Sequence, residues 1–415
     1  MGTYVRIKIK NFDFILSKNS FGDLLFPFSP YDLNIVSALD NEGEQYTKRF
    51  FKTSVGNLIK ILDTTGFSIQ SARTEFEKLK IEKLEYIQYC IDEGENALEF
   101  SYDVVNQNFT FENWRAAALK YASIIASDLY DDNEHCYPNL KKEKLKSLSI
   151  SERIILDSLP FGEGFWGFMD IEFNIWSIFR VLLDAFSPEE DVILDYTELY
   201  ESGWCDEVPS EQDYSVPKTI ILTEGSYDAM VIATSINLLY PFMSKFFSFI
   251  NFSEYKVQGS TNFLSHYVKA FIAAGIQNRV IALYDNDSAG LAELQILKSI
   301  SPPPNFRILH LPNLELAENY PTLGPSGKEI MNVNGKACSI EMFLGKDVLS
   351  TDGELTPIQW KGFIEKTQTY QGEIMNKTLI QKRFDAKCCS FTKIDNQDPW
   401  KDIQTLLDYL FNAFN

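Results

Sequence analysis

The residues of this 415-residue chain best placed to do chemistry are three carboxylates, Glu224, Asp285 and Asp287. They stand at the ends of two apolar runs of strand length, Thr219-Ile220-Ile221-Leu222-Thr223 and Arg279-Val280-Ile281-Ala282-Leu283-Tyr284. Strand residues two apart share a face, so Asp285 and Asp287 can aim the same way. Carboxylates gathered at one sheet edge repel unless a hard cation lies between them. Mg2+ takes oxygen ligands and is commonly held by one or two carboxylates with phosphate and water, and Mn2+ can replace it. Such a set would perform metal-assisted phosphoryl transfer.

The elements that must position these acids alternate between strand and helix. Ser226 can cap a helix over 227–240. A β-prone run at 246–252 follows, then Gln258-Gly259-Ser260 and a helix over 262–274 closed by Gly275. A helix from Ser288 to about Ile300 is broken by Pro302-Pro303-Pro304, and 306–311 reads as a further strand. This alternation predicts a parallel sheet with crossover helices. Sites in such sheets form beyond the carboxyl ends of strands, where Glu224, Asp285 and Asp287 fall.

The run Thr223-Glu224-Gly225-Ser226-Tyr227-Asp228, followed about sixty residues later by Asp285-Asn286-Asp287-Ser288-Ala289-Gly290, resembles the Toprim domain of topoisomerases, primases and overcoming-lysogenization-defect-like nucleases. The resemblance covers residues 217–315 and implies an α/β Toprim domain with a Rossmann-like parallel sheet. It implies a metal-ligand or acid-base role for Glu224, metal binding by Asp285 and Asp287, and an additional acid at Asp228. Gly225 and Gly290 match positions where a phosphate approaches the backbone. The overall layout further resembles the bacterial HEPN/Toprim-associated proteins, on looser patterns such as the opening Met1-Gly2-Thr3-Tyr4 and the tail around Tyr370-Gln371-Gly372-Glu373. Those proteins carry an N-terminal module and a helical HEPN-like region before the Toprim, and are thought to act in conflict with phages. The expected layout is an α+β module over 1–110, a largely helical HEPN-like region with an acidic linker over 111–216, the Toprim domain over 217–315, and a mainly helical extension over 316–415.

Two departures limit what the resemblance carries over. Active HEPN ribonucleases place a His shortly after an Arg in a fixed pattern that His135, His266 and His310 do not meet. The helical region is therefore expected to lack ribonuclease activity of its own. The segment Leu311-Pro312-Asn313-Leu314-Glu315 also lacks the acidic-Lys pattern of some Toprim nucleases, leaving Lys328 as a bare candidate for leaving-group stabilisation.

Charge supports a division of the chain. The net charge is −20, and residues 218–329 and 330–415 each carry −1, so −18 falls in residues 1–217. A chain this acidic is no general coat for nucleic acid, because phosphate affinity comes mostly from Lys and Arg releasing counterions. Ten acidic residues and no basic one occupy Glu189–Asp213, which reads as a solvated linker or as a surface for a basic protein partner. The start, 4–10, alternates apolar and basic residues as a half-buried strand, with 12–15 as its hairpin partner. Helical spacing runs from Ser68 to Gly94, over 114–129 and over 171–186, and Ser149-Ile150-Ser151-Glu152 has the form of a capping box. Gly162-Glu163-Gly164-Phe165-Trp166-Gly167 matches the dinucleotide fingerprint but lacks a preceding strand, so it reads as an aromatic turn. Six cysteines without CxxC spacing and three His residues argue against a disulfide scaffold and a zinc site. The apolar run 229–244 is too short for a bilayer span and contains Pro241, so no membrane segment and a cytoplasmic location are expected.

The expected activity is Mg2+- or Mn2+-dependent cleavage of phosphodiester bonds in RNA, tRNA included, or DNA, by an effector of anti-phage defence. The alternative is a non-catalytic regulatory subunit that binds metal or nucleic acid and docks an ATPase or antitoxin. A topoisomerase would need more chain, and a primase an evident zinc module. Nucleic acid is expected at Lys377, Lys382, Arg383 and Lys387, where the 383/387 spacing puts two charges on one helix face. A homo-oligomer is compatible with the sequence.

Overall fold

Alternation at the start of the chain buries Val5, Ile7 and Ile9 completely and makes β1 (Tyr4–Ile9) a strand with one inner face. The computed structural model describes residues 2–10, 12–40, 42–94, 102–126, 148–149, 151–152, 174–210, 216–250, 260–391 and 398–415. The chain divides into two units, Met1–Ser215 with Asn415, and Val216–Phe414. In the first, β1 and β2 (Phe12–Lys18) form a hairpin, as do β3 (Leu33–Leu39) and β4 (Gln45–Ser54). The two hairpins are joined by β5 (Asp191–Asp195), giving the antiparallel order β2-β1-β5-β4-β3.

Helices α1 (Val55–Thr65), α2 (Ile69–Asp92), α3 (Tyr102–Asn108), α4 (Phe111–Ala126) and α5 (Ile175–Leu183) complete this unit among the described residues, with a short α6 (Thr197–Glu201) after β5. Helix α2 begins where Ser68 Oγ accepts from the Ser71 amide, and Gly94 follows its end at φ +79°. Its Ala72, Phe76 and Ile87 enter one core with Phe14, Phe51, Trp114 and Phe179. The boundary expected at 110/111 therefore runs through a single core. The acidic run is corrected as well. It supplies the central strand β5, with Val192 and Leu194 buried, rather than a linker. Its acids meet basic neighbours: Asp191–Lys52 at 2.6 Å, Glu190–Lys10 at 2.8 Å and Glu207–Arg49 at 2.8 Å. The capping box at Ser149 forms, with Ser149 N donating to Glu152 Oε2 and Glu152 N to Ser149 Oγ. His135 and the run Gly162–Gly167 lie outside the described residues.

Arg180 of α5 is buried and bridges two acids, donating from Nε to Asp63 Oδ1 at 2.7 Å and from Nη1 to Asp184 Oδ1 at 2.7 Å. Arg180→Ala should cost this unit about 3 kcal/mol, since breaking a buried pair strands its partners. The check is a lower urea midpoint at unchanged slope. A midpoint equal to that of the parent would refute it.

The second unit opens with a strand–helix alternation: β6 (Thr219–Thr223), α7 (Ser226–Leu239), β7 (Phe247–Phe249), α8 (Thr261–Ala273), β8 (Val280–Tyr284), α9 (Ser288–Lys298) and β10 (Phe306–His310). All pairings are parallel, in the order β10-β8-β6-β7. The fold is thus mixed α/β with one parallel sheet. Strand β8 is buried along its whole length, and Leu222, Val280, Ala282, Leu264, Leu294 and Phe306 form the core between sheet and helices. Ser226 does not cap α7. It is the first helical residue, and Asp228 Oδ2 reaches back to the amide of Gly225 at 3.0 Å.

Residues 316–415, expected to be mainly helical, hold a second four-stranded sheet. Strands β11 (Tyr320–Gly324), β12 (Gly327–Met331), β16 (Ile358–Ile364) and β17 (Thr369–Ile374) run in the order β12-β11-β16-β17. Two short antiparallel pairs accompany this sheet: β13 (Ala337–Cys338) with β9 (Asn286–Asp287), which directly follows β8, and β14 (Ser350–Thr351) with β15 (Glu354–Leu355). Helices α10 (Lys377–Cys389) and α11 (Lys401–Phe411) follow. Much of this sheet is solvent-facing on β12 and β16, so its polar strands carry little alternation to read. Among the described residues no helix is long and apolar enough to cross a membrane.

Candidate active site

Strand order locates the site. From β6 the chain passes to β7 on one side, then crosses back to β8 on the other, so the direction of winding reverses between β6 and β8. A crevice opens at the carboxyl ends of strands at such a point. Glu224 follows β6 and Asp285 follows β8. They are joined directly: the Asp285 amide donates to Glu224 Oε1 at 3.0 Å, while Thr261 Oγ1 donates to Oε2 at 2.6 Å. Asp287 caps α9, its Oδ1 accepting from the Gly290 amide at 2.8 Å, and its Oδ2 accepts from Gln371 Nε2. Among the described residues no donor reaches the Asp285 carboxylate.

Asp285 and Asp287 line a cleft of about 170 Å³ together with Ser339, Lys361, Gln371 and Lys377. Glu224 and Asp228 are not among its lining residues but act on Asp285 through their charges. Burial, and then the charges of Asp228, Glu224, Asp287 and Glu341, push the Asp285 carboxyl well above the usual range. Burial also raises Glu224, against the bonds from Thr261 and the Asp285 amide, and raises Asp228 to about 7 with the help of Glu341 and Glu224. Glu341, not singled out by the sequence, is a buried acid whose Oε2 accepts from Ser339 Oγ at 2.6 Å. The signal available was its setting, a lone charge among Ile340, Met342, Phe343 and Leu344, all of them buried.

Lys377 supplies the balancing charge. Its Nζ lies 3.7 Å from Glu341 Oε2 and 3.7 Å from Glu373 Oε1. Burial alone would lower its pKa, but attraction to Glu341, Asp285, Glu373 and Asp228 outweighs that and holds the ammonium charged. The other cations expected to bind nucleic acid are not gathered here. Arg383 Nη1 donates to Ser350 O at 2.7 Å, and Lys387 Nζ to Leu344 O at 2.8 Å and Pro399 O at 2.7 Å, so both staple backbone. Lys382 is exposed on α10, and Lys328 lies on β12 away from the cleft lining.

The two glycines differ. A Cβ on Gly290 would strike the Asp285 carbonyl oxygen, whereas one on Gly225 would meet only Asp228 Oδ2 at 3.5 Å. Gly290 therefore lets α9 close onto the end of β8. Gly290→Ala should cost about 1–3 kcal/mol as an overpacked contact, and Gly225→Ala far less. Thermal melts of the two variants check this, and equal losses would contradict it.

Among the described residues no three His, Cys, Asp or Glu side chains are grouped closely enough to share one ion. The donor chemistry still suits a hard cation, since the acids offer only oxygen, and Mg2+ needs no more than one or two carboxylates when phosphate completes its shell. Asp285, with its carboxylate unclaimed, and Asp287 beside it in the cleft are the pair that fits.

A parallel sheet with acids at its winding reversal defines a mixed α/β protein with a polar crevice. The family model HEPN/Toprim N-terminal domain 1 matches residues 1–217, and the chain belongs to that family. This membership points to a nuclease-like or nucleic-acid-related function. No curated protein and no solved structure matches the chain. The match ends just before β6, so the cleft lies beyond it.

Proposed function

We propose that residues 217–315 form a Toprim-type domain and that the cleft is the active site of a Mg2+- or Mn2+-dependent nuclease cleaving RNA or DNA. The observation that carries this reading is Asp285, whose unclaimed carboxylate stands beside Asp287 and Lys377 where the sheet reverses direction. Asp285 and Asp287 would hold the cation. When bound, it would polarise the phosphate and favour ionisation of a water. Glu224 holds the Asp285 backbone through the 3.0 Å hydrogen bond it accepts from the Asp285 amide, which fixes where that acid's side chain starts. Lys377 and Lys361 present ammonium groups to the non-bridging oxygens of a phosphodiester, and Glu341 keeps Lys377 in position. A cleft of about 170 Å³ admits a phosphate and its water but leaves the bases outside, which suits cleavage with little base preference.

In a cell, such cleavage would make the protein an effector of anti-phage defence. The test uses the full chain with end-labelled RNA and DNA. Cleavage should need millimolar Mg2+ or Mn2+, stop in EDTA and vanish in Asp285→Asn. Cleavage that persists in EDTA or in that variant would overturn the reading. The lack of a three-acid group among the described residues, and the charge that Lys377 already places beside these acids, favour a second reading. In it the domain is a non-catalytic module that docks an ATPase or antitoxin partner, and the purified chain cleaves nothing while a partner co-purifies.

A further inference from the structure

The face of the second sheet that carries Trp360 holds a larger cavity, about 440 Å³, which the cleft chemistry does not use. Trp360 of β16 pairs with Gly372 of β17, and Tyr370 of β17 pairs with Phe363 of β16, so the three rings share one face. The glycines flanking the indole have a spatial reason. A Cβ on Gly324 would lie 3.2 Å from Trp360 Cδ1, and one on Gly372 would lie 3.1 Å from Cε3. Neither glycine has a left-handed backbone; Gly324 leaves room for the indole, while Gly372 chiefly makes room for Ile358 and Ala337, which a Cβ would approach to 2.6 and 2.8 Å. The cavity is thus lined by the Trp360 indole and by Tyr370, 58% exposed, whose ring stands edge to face with Phe363.

The polar groups around this cavity are specific. Lys336 is half-buried, lines the cavity, and has no carboxylate partner among the described residues. A half-buried, unpaired ammonium favours an anionic ligand. Glu329 on β12 offers an acceptor on the same cavity wall. A flat ring, a cation and an acceptor in that volume match a nucleotide: stacking for the base, charge for its phosphate, and an acceptor for a base amino group.

We propose that this cavity binds a nucleotide, with its base on Trp360 and Tyr370 and its phosphate on Lys336. The same chemistry serves a free mononucleotide or one nucleotide of a single strand. The neighbours Lys336/Ala337, Trp360/Lys361 and Tyr370/Gln371 divide between the cavity and the acidic cleft, the first of each pair lining the cavity and the second the cleft. Occupancy of one can therefore be felt at the other through β16 and β17. The inference does not rest on the nuclease reading.

The experiment uses the full chain carrying Asp285→Asn, so that nothing is cleaved whether or not the wild type is a nuclease. GMP, guanosine and a six-residue guanosine-containing RNA strand are titrated by calorimetry and by tryptophan fluorescence. GMP should bind saturably, and Trp360→Ala should weaken it at least tenfold, while Trp360→Phe retains most of the affinity. Lys336→Ala should weaken GMP several-fold and leave guanosine unchanged. If the RNA binds at least tenfold tighter than GMP, the site lies on a nucleic-acid track; if it binds no tighter, the ligand is a free nucleotide. Either result supports the proposal. No saturable binding of any of the three probes up to millimolar concentration would overturn it. So would affinities unmoved by Trp360→Ala and by Tyr370→Ser in folded protein.

Discussion

Without divalent cations, Asp285→Asn combined with Glu224→Gln should melt higher than the wild type, an unusual outcome for two substitutions in a buried site. Both carboxyls are pushed upward by burial and by neighbouring acids, so ionising them near neutral pH works against the fold. The amides nearly preserve volume and remove the charge. A relief of a few kcal/mol corresponds to a rise of roughly 5–10 °C for a unit of this size. Added Mg2+ or Mn2+ should reverse the ranking by stabilising only the wild type, by about 2.7 kcal/mol at a hundredfold excess over Kd. Differential scanning calorimetry with and without metal reads both effects. Identical responses of the two proteins to millimolar metal would remove these carboxylates from any metal site, and the nuclease proposal with them.

The second large effect is on pH. Asp228 titrates near 7 in the folded chain and near 3.8 when free, and Glu224 and Asp285 are shifted in the same direction. A raised folded pKa means that the folded state binds more protons between the two values. Its stabilising contribution is fully present below about 3.8 and is lost as pH rises through about 7. Metal-free protein should therefore lose the stability Asp228 contributes as pH rises from about 4 to about 7, at about 1.4 kcal/mol per pH unit within that window. Asp228→Asn should flatten the profile, and saturating Mg2+ should flatten it too by compensating the charge that protons otherwise remove. Comparing the urea midpoints of the parent and Asp228→Asn between roughly pH 4.5 and 7.5 checks this, and parallel profiles without metal would contradict it.

The parallel sheet was legible because its strands are continuous apolar runs. Thr219–Thr223 and Val280–Tyr284 are almost wholly buried, as strands covered on both faces are. Glu224, Asp285 and Asp287 were legible because they end those runs. Glu341 was not, and Lys377 was read only as a nucleic-acid contact, since a 3-10 turn and a helix start say nothing in their own sequences about the acids after β8. Strand β5 was hidden for another reason. Its apolar pair Val192 and Leu194 is bracketed by acids, and the charge count of the run masked a period of two that spans only five residues. Arg383 and Lys387 looked free because helical spacing reports which side chains share a face, and not which carbonyls wait opposite them.

The position of β5 has a consequence for synthesis. Its two neighbours, β1 and β4, are complete once Ser54 has been made, yet the strand that joins them begins only at Asp191. At roughly 5–20 residues per second, a ribosome needs on the order of 7–30 s to cover that interval. Throughout it, two hairpins each present an inner edge with unpaired amides and carbonyls, the arrangement most prone to pairing with the wrong chain. The nascent protein therefore depends on something to shield those edges, and a chain stalled or cut before Asp191 should aggregate rather than wait.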